Sequence, residues 1–139
     1  MRRYLPLITL LPALLFAASS KLDEKSGLVW QDNHAIPTEL SQPEAENYCR
    51  RLKLDGFDRW RLPTIKELAT IIDFKRYRPA LRSGFDMRAE ERFWSSTADA
   101  ANPRNGWVVS FSYGAIESYP RSRQYYVRCV TDAPARKKP

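Results

Sequence analysis

Histidine is almost missing from this chain: His34 is the only one. Cysteine is nearly as scarce, with Cys49 and Cys129 alone. A structural zinc site takes four ligands, so a metal centre is a poor reading. No Ser/His/Asp set can be assembled around His34, and carboxylate pairs such as Asp23/Glu24 and Glu90/Glu91 are sequence neighbours of the ordinary surface kind. With no activated nucleophile and no positioned base, catalysis is not expected, nor is a cofactor. No recognised DNA- or RNA-binding motif is present, so nucleic acid is not an expected partner. Internal repeats are also lacking. Only five glycines stand against ten prolines, a balance that points to a loop-rich fold rather than a helical bundle.

A long apolar run occurs once, at the start. "MRRYLPLITLLPALLFAASS" opens with Arg2 and Arg3. It continues through Leu5 to Ala18, broken only by Thr9 and two prolines, and ends in small residues. That is the layout of a secretory signal peptide, expected to be cut between Ala17 and Ser20. The run falls short of the roughly 20 residues that span a bilayer. No cysteine lies near the cut, which argues against a lipoprotein. The expectation is therefore a periplasmic or secreted protein without stable membrane insertion once residues 1–20 are removed. The formal charge of +7 would fall to +5, 21 basic against 16 acidic side chains. Much of the surplus lies late, at Arg121, Arg123, Arg128, Arg136, Lys137 and Lys138, so an anionic partner outside the cytoplasm is expected.

Along the remaining chain, "GLVWQD" (27–32) reads as a short strand anchored by Trp30. Ser41 is a helix N-cap with Glu44 placed for a capping box, and Pro43 fits the first turn. Ala45, Tyr48, Cys49 and Leu52 fall on one helical face, and Gly56 is placed as a stop. In "FDRWRLPTIKEL" (57–68), Thr64 and Glu67 repeat the capping pattern, with Ile65, Leu68, Ala69 and Ile72 as the apolar stripe. Trp60 between the helices reads as a core plug, and Arg61 as a partner for Asp58, Glu67 or Asp73. Residues 75–92 read as a long loop, "FWSST" (93–97) as a strand and 98–106 as a turn-forming loop. Residues 107–119 read as a hairpin with Trp107, Val109, Phe111 and Tyr113 on one face. "YYVRCV" (125–130) reads as the closing strand, and 132–139 as a basic mobile tail. The order predicts an α+β domain over 26–131, two helices packed on a twisted antiparallel sheet with long loops. Trp30, Trp60, Trp94 and Trp107 are placed in or near its core. In an exported chain the even cysteine count favours a disulfide over free thiols or a metal pair. Such a bridge would close a loop of about 80 residues, worth roughly 4–5 kcal/mol in the chain-entropy model.

Five blocks, "GLVWQD", "AENYCRRLKLDGFDRWRLPTIKEL", "FWSST", "NGWVVSFSYG" and "YVRCV", taken in order, resemble the signature of the Lcl C-terminal domain family, also called DUF1566. The resemblance runs from about residue 26 to 131. It implies a C-type lectin-like fold in which a cysteine of the first helix, here Cys49, pairs with one of the final strand, here Cys129. One relative in the family is a collagen-like adhesin whose C-terminal domain binds sulfated glycosaminoglycans; other members are exported bacterial proteins. This chain has no Gly-X-Y repeats, so a collagen-driven trimer is not expected. Formylglycine-generating enzymes share the superfamily fold, but their chemistry needs reactive cysteines, and fold does not carry function.

Sugar-binding C-type lectins hold Ca²⁺ through Glu-Pro-Asn or Gln-Pro-Asp and a Trp-Asn-Asp triplet. Here "ADAANPRNGW" offers Asp99, Asn102 and Asn105 with one carboxylate among them, too few hard oxygens for calcium. "QPE" (42–44) mimics the motif but opens a helix, and Val108 and Val109 follow Trp107. The better candidate is a basic and aromatic patch of Arg104, Asn105, Tyr113, Tyr119, Arg121 and Arg123. Guanidinium forks grip sulfate, phosphate or carboxylate, and aromatic faces stack on sugar rings. The expected activity is calcium-independent, non-catalytic binding of an anionic glycan or acidic surface polymer. A protein-interaction or assembly module of the cell envelope is the alternative. Reversing Arg121 and Arg123 to Glu is expected to abolish heparin retention without changing the melt.

Overall fold

The computed structural model describes residues 19–33, 39–86 and 91–134. Leader residues 1–18, His34, Glu90 and tail residues 135–139 lie outside the described residues. The elements run β1 (Ser20–Asp23), β2 (Leu28–Gln31), α1 (Gln42–Arg51), α2 (Ile65–Ala69), β3 (Arg92–Asp99), β4 (Asn102–Ser110), β5 (Ala115–Pro120) and β6 (Val130–Asp132). They form an α+β domain with two antiparallel sheets, ordered β1-β2-β6 and β3-β4-β5, and a disulfide between Cys49 and Cys129 with Cα atoms 5.6 Å apart. One sheet was expected and two are found. The reason lies in "YYVRCV", which is not a single strand. Tyr125 bridges Leu40, Tyr126 bridges Phe93 in parallel, and Val130 bridges Arg61 while entering β6. The segment thus passes from one sheet to the other and staples them. β1, which pairs with β2 from Ser20↔Gln31 to Asp23↔Leu28, carries no strong apolar pattern and was not anticipated.

Neighbouring residues divide between two cores. Leu28, Trp30, Leu68, Ile71, Phe93, Val109, Phe111 and Val130 share one. Val29, Ala45, Cys49, Trp60, Leu62, Trp94, Val108 and Cys129 share the other. The β3-β4-β5 sheet therefore lies between the helices, with α2 over the Val109 side and α1 over the Val108 side. Strands covered on both faces read as continuous apolar runs, not alternations. "LVW", "FW" and "VV" are such runs. Alternation from Trp107 placed Val108 on a lesser face, yet Val108 is fully buried. Trp107 itself is half-buried and belongs to neither core, lying beside Ile65, Ala69 and Ile116. Trp30, Trp60 and Trp94 are buried.

Both caps form, but differently. Around α2, Thr64 Oγ1 accepts the Glu67 N–H at 3.2 Å and Glu67 Oε1 accepts the Thr64 N–H at 2.8 Å, a complete capping box. At α1, Ser41 Oγ accepts the Glu44 N–H at 3.4 Å but donates its hydroxyl to the Glu44 carboxylate at 2.7 Å, so only half of the expected box forms. α1 ends at Arg51, short of Gly56. Asp55 and Gly56 have φ of 51° and 79° and carry a tight reversal between Leu54 and Phe57. Consecutive positive φ values suit a two-residue hairpin turn, which is what Asp-Gly provides.

Between the helices, the Trp60 indole donates to the Phe57 carbonyl at 3.0 Å, and Arg61 grips the Glu67 carboxylate at 2.7 and 2.8 Å. That hydrogen bond, opposed by burial, holds the Glu67 carboxyl below its ordinary value. "WRLP" is scaffold: its polar groups are satisfied inside the fold.

The expected loop at 98–106 is a hairpin. β3 runs to Asp99, β4 starts at Asn102, and Asp99 pairs with Asn102 across a two-residue turn. Asp99 Oδ1 accepts the Ala101 N–H at 2.9 Å and Oδ2 the Ser118 hydroxyl at 2.6 Å. The Ser118 bond leads in holding this carboxyl below its ordinary value. Asn102 Oδ1 accepts the Arg104 N–H at 3.3 Å. Side chains that resembled calcium ligands fold this turn.

Arg128, counted with the surface charge, is fully buried. Its Nη1 lies 3.1 Å from Asp32 Oδ1 and donates to the Gln31 carbonyl at 3.3 Å. The guanidinium carbon stands 5.6 Å from the ring centres of Phe85 and Phe93. Burial pushes its pKa down to about 10 against the pull of Asp32, so it stays charged at neutral pH. Asp32 also accepts the Asp86 N–H with both oxygens, at 3.0 and 2.9 Å.

Candidate functional site

The hairpin register divides the six candidate residues. Asn105 pairs with Pro120 and Gly106 with Tyr119 at one end of β4-β5; Ser110 pairs with Ala115 at the other. Arg104, Asn105, Tyr119, Arg121 and Arg123 therefore gather at the first end. Tyr113 lies in the turn at the opposite end, five residue steps or roughly 17 Å away along the strand. There its ring stands 5.4 Å from the Arg78 guanidinium, and Arg78 Nη2 donates to its hydroxyl at 2.6 Å. Alternation assigns Tyr113 a strand face, but it lies in the turn beyond β4, and register decides which end it reaches.

At the first end an open cleft of about 760 Å³ is lined by Ser41, Pro43, Glu44, Pro103, Arg104, Pro120, Arg121 and Ser122. Its floor is tied down. The Gln42 N–H donates to the Arg121 carbonyl at 3.0 Å, and the Arg121 N–H to the Arg104 carbonyl at 3.0 Å. Arg121 Nε donates to Gln42 Oε1, while Gln42 Nε2 donates to the Ser95 carbonyl at 2.7 Å. Gln42 is buried, and a Cβ on Gly106 would come within 2.5 Å of its amide, so a side chain there would have to displace the amide from its bonds to Arg121 and Ser95. Arg121 is thus a brace between the 120–124 loop and α1, with its Nε committed to Gln42, and reversing it to Glu would strand a buried amide at about 1–3 kcal/mol. Reversing Arg121 is therefore expected to lower the melting temperature, unlike reversing Arg123. "QPE" is a helix start whose amide oxygen already has a donor.

Tyr119 is the centre of what remains. The guanidinium of Arg123 lies 5.2 Å from its ring centre and that of Arg92 lies 5.3 Å away. Tyr125 packs against it at 5.5 Å and in turn meets Trp94 at 5.1 Å. Arg92 Nε is bonded to Glu117 Oε2 at 2.9 Å. Glu117 also accepts from Tyr119 and so raises the phenol's pKa. For Glu117, burial pushes up but Tyr119 and Arg92 hold the carboxyl below its ordinary value. The Arg92 charge is therefore answered locally, whereas Arg104 and Arg123 are exposed. Gln42, Arg92 and Glu117 were not singled out in the sequence. Arg92 ended an apparent loop, and nothing local marks a glutamine as buried.

A model of the Lcl C-terminal domain matches residues 21–131. The chain belongs to the Lcl C-terminal domain family. No curated protein matches it. In this Lcl C-terminal domain the matched span reaches from β1 to β6 and includes both cysteines, both helices and the Tyr119 cluster. The described residues have no free cysteine and no cluster of three or more His, Cys, Asp or Glu side chains. Among them no helix is long and apolar enough to cross a membrane.

Proposed function

We propose that this is an exported, non-catalytic domain of C-type lectin-like fold that binds an anionic glycan or acidic surface polymer without calcium. The carrying observation is the Arg123–Tyr119 stack beside exposed Arg104 at the mouth of a cleft. It offers two solvent-facing forks beside a half-buried tyrosine on a braced floor. A sulfate or uronate could be gripped by Arg104 and Arg123 while a sugar ring meets the tyrosine. Export is supported by the leader-like first residues and by the disulfide, which suits an oxidising compartment. Because Asp32 donates its N–H to the Ser19 carbonyl and Ser20 belongs to β1, a cut before Ser19 would keep the sheet whole.

The test is retention of the exported protein on immobilised heparin. Arg104→Glu with Arg123→Glu is expected to abolish retention at physiological salt, about 0.15 M. Both side chains are exposed, so the melting temperature should move by less than about 2 °C. Undiminished retention in that variant, or retention lost on adding EDTA to the wild type, would refute the reading. No retention at any salt would favour the envelope assembly module. The observation on that side is the apolar recess formed by Ile65, Ala69, Trp107 and Ile116.

A further inference from the structure

Among the described residues, the three most exposed large hydrophobic side chains gather at the far end of the β4-β5 hairpin. Phe74 is 75% exposed, Tyr77 73% and Tyr113 62%. Lys75, Arg76 and Arg78 are interleaved with them, and Asp73 at the foot is the one carboxylate of the 73–79 turn. This knob is built, not loose. Lys75 N–H donates to Asp73 Oδ1 at 2.9 Å, and Arg76 N–H to the Asp73 carbonyl at 3.1 Å. The Asp73 N–H donates to the Ala80 carbonyl at 3.1 Å, and the Arg78 N–H to the Ser112 carbonyl at 2.8 Å. Ile72 bridges Leu81 at its base, and Arg78 clamps Tyr113. The fold thus holds three aromatic rings out in water and surrounds them with three cations.

We propose that this knob docks the protein on the surface of an anionic phospholipid bilayer. Aromatic side chains settle at the headgroup level of a bilayer, and each Lys or Arg near an anionic surface adds attraction. A sugar polymer explains the knob less well. Its most exposed ring is a phenyl, which offers no hydrogen bond to hydroxyl groups and gains most by leaving water. Three protruding rings also form no cleft. An exposed apolar cluster with a polar rim is the usual mark of an interaction surface, and the excess of three cations over the single carboxylate of the turn selects the bilayer composition. The docking is peripheral and uses only the tips of two turns. It leaves the Arg104–Tyr119–Arg123 end, on the opposite side of the hairpin, free for its own ligand, and it does not depend on that ligand.

Co-sedimentation of the exported protein with vesicles tests this. Binding is expected to vesicles of phosphatidylcholine with about one-third phosphatidylglycerol, not to phosphatidylcholine alone, and to fall as salt rises. Lys75→Gln with Arg76→Gln should weaken it roughly 30-fold. Phe74→Ala with Tyr77→Ala should weaken it at least about tenfold. Arg104→Glu with Arg123→Glu should leave it unchanged, which separates this surface from the proposed glycan cleft. Melting curves of all three variants should match the wild type, since the altered side chains are exposed. Free glycerol phosphate at millimolar concentration should not compete, because a lone headgroup cannot seat the rings. Three outcomes would overturn the proposal: no binding to the anionic vesicles, full binding by the Phe74/Tyr77 variant, or heparin retention lost in the knob variants while vesicle binding persists. The last would assign the knob to a soluble polyanion.

Discussion

Replacing Cys49 and Cys129 together by alanine is expected to destabilise the domain by roughly 4–5 kcal/mol, far more than any exposed substitution would. The bridge closes a loop spanning 80 residues, which starts in the last turn of α1 and contains α2 and the whole β3-β4-β5 sheet. Without it the unfolded chain regains the freedom of that loop. The folded chain also loses packing, because both sulfurs are fully buried in the core with Trp60 and Trp94. For a domain of this size such a loss should lower the melting temperature by more than about 10 °C. Calorimetry of the oxidised wild type and the double variant, both at neutral pH, measures it. A difference below about 1 kcal/mol would show that β2-β6 pairing and the Tyr125–Tyr126 bridges alone hold the chain's ends together.

Breaking the ion pair of Arg128 and Asp32 is expected to cost nearly as much, about 3–5 kcal/mol for Arg128→Met alone. The substitution leaves the Asp32 carboxylate in an environment where only 6% of the residue meets solvent. It also removes the cation held against Phe85 and Phe93. The Asp86 N–H stays bonded to Asp32, but a neutral donor does not balance a carboxylate's charge. Adding Asp32→Leu should recover part of the loss by removing the stranded charge. Recovery should be incomplete, since the Asp86 N–H then loses its acceptor at about 1–3 kcal/mol. Urea denaturation of both single variants and the double one forms the cycle. Additive losses would mean that the two groups do not act as a pair.

What could be read from the chain was what is chemically local. Ser41 and Thr64 announce helices because a cap needs only the next three residues, and both helices begin where those caps place them. Cys49 and Cys129 are joined, and two sulfurs allow only one internal pairing. Trp60 and Arg61 are scaffold, as the capped helix after Pro63 suggested. The failures share a different origin. Arg128 looked like surface charge because a buried counterion 96 residues away in sequence leaves no local mark. Tyr113 was grouped with Arg121 because alternation gives a side chain's face but not the end of the hairpin where it sits. Arg121 looked free until the buried Gln42 amide was found to hold it. The loop reading of residues 75–92 does not reveal the exposed rings of Phe74 and Tyr77, since sequence does not tell an aromatic that fills a core from one held in water. Trp107, expected in or near the core, lies near it, half-buried beside Ile65 and Ala69.

A glycan array probed with the exported protein, once with EDTA and once with calcium, tests the central claim most directly. Signal on sulfated or uronate-bearing glycans, equal in both conditions and missing for Arg104→Glu with Arg123→Glu, is the predicted result. Signal confined to neutral sugars, or present only with calcium, would contradict it.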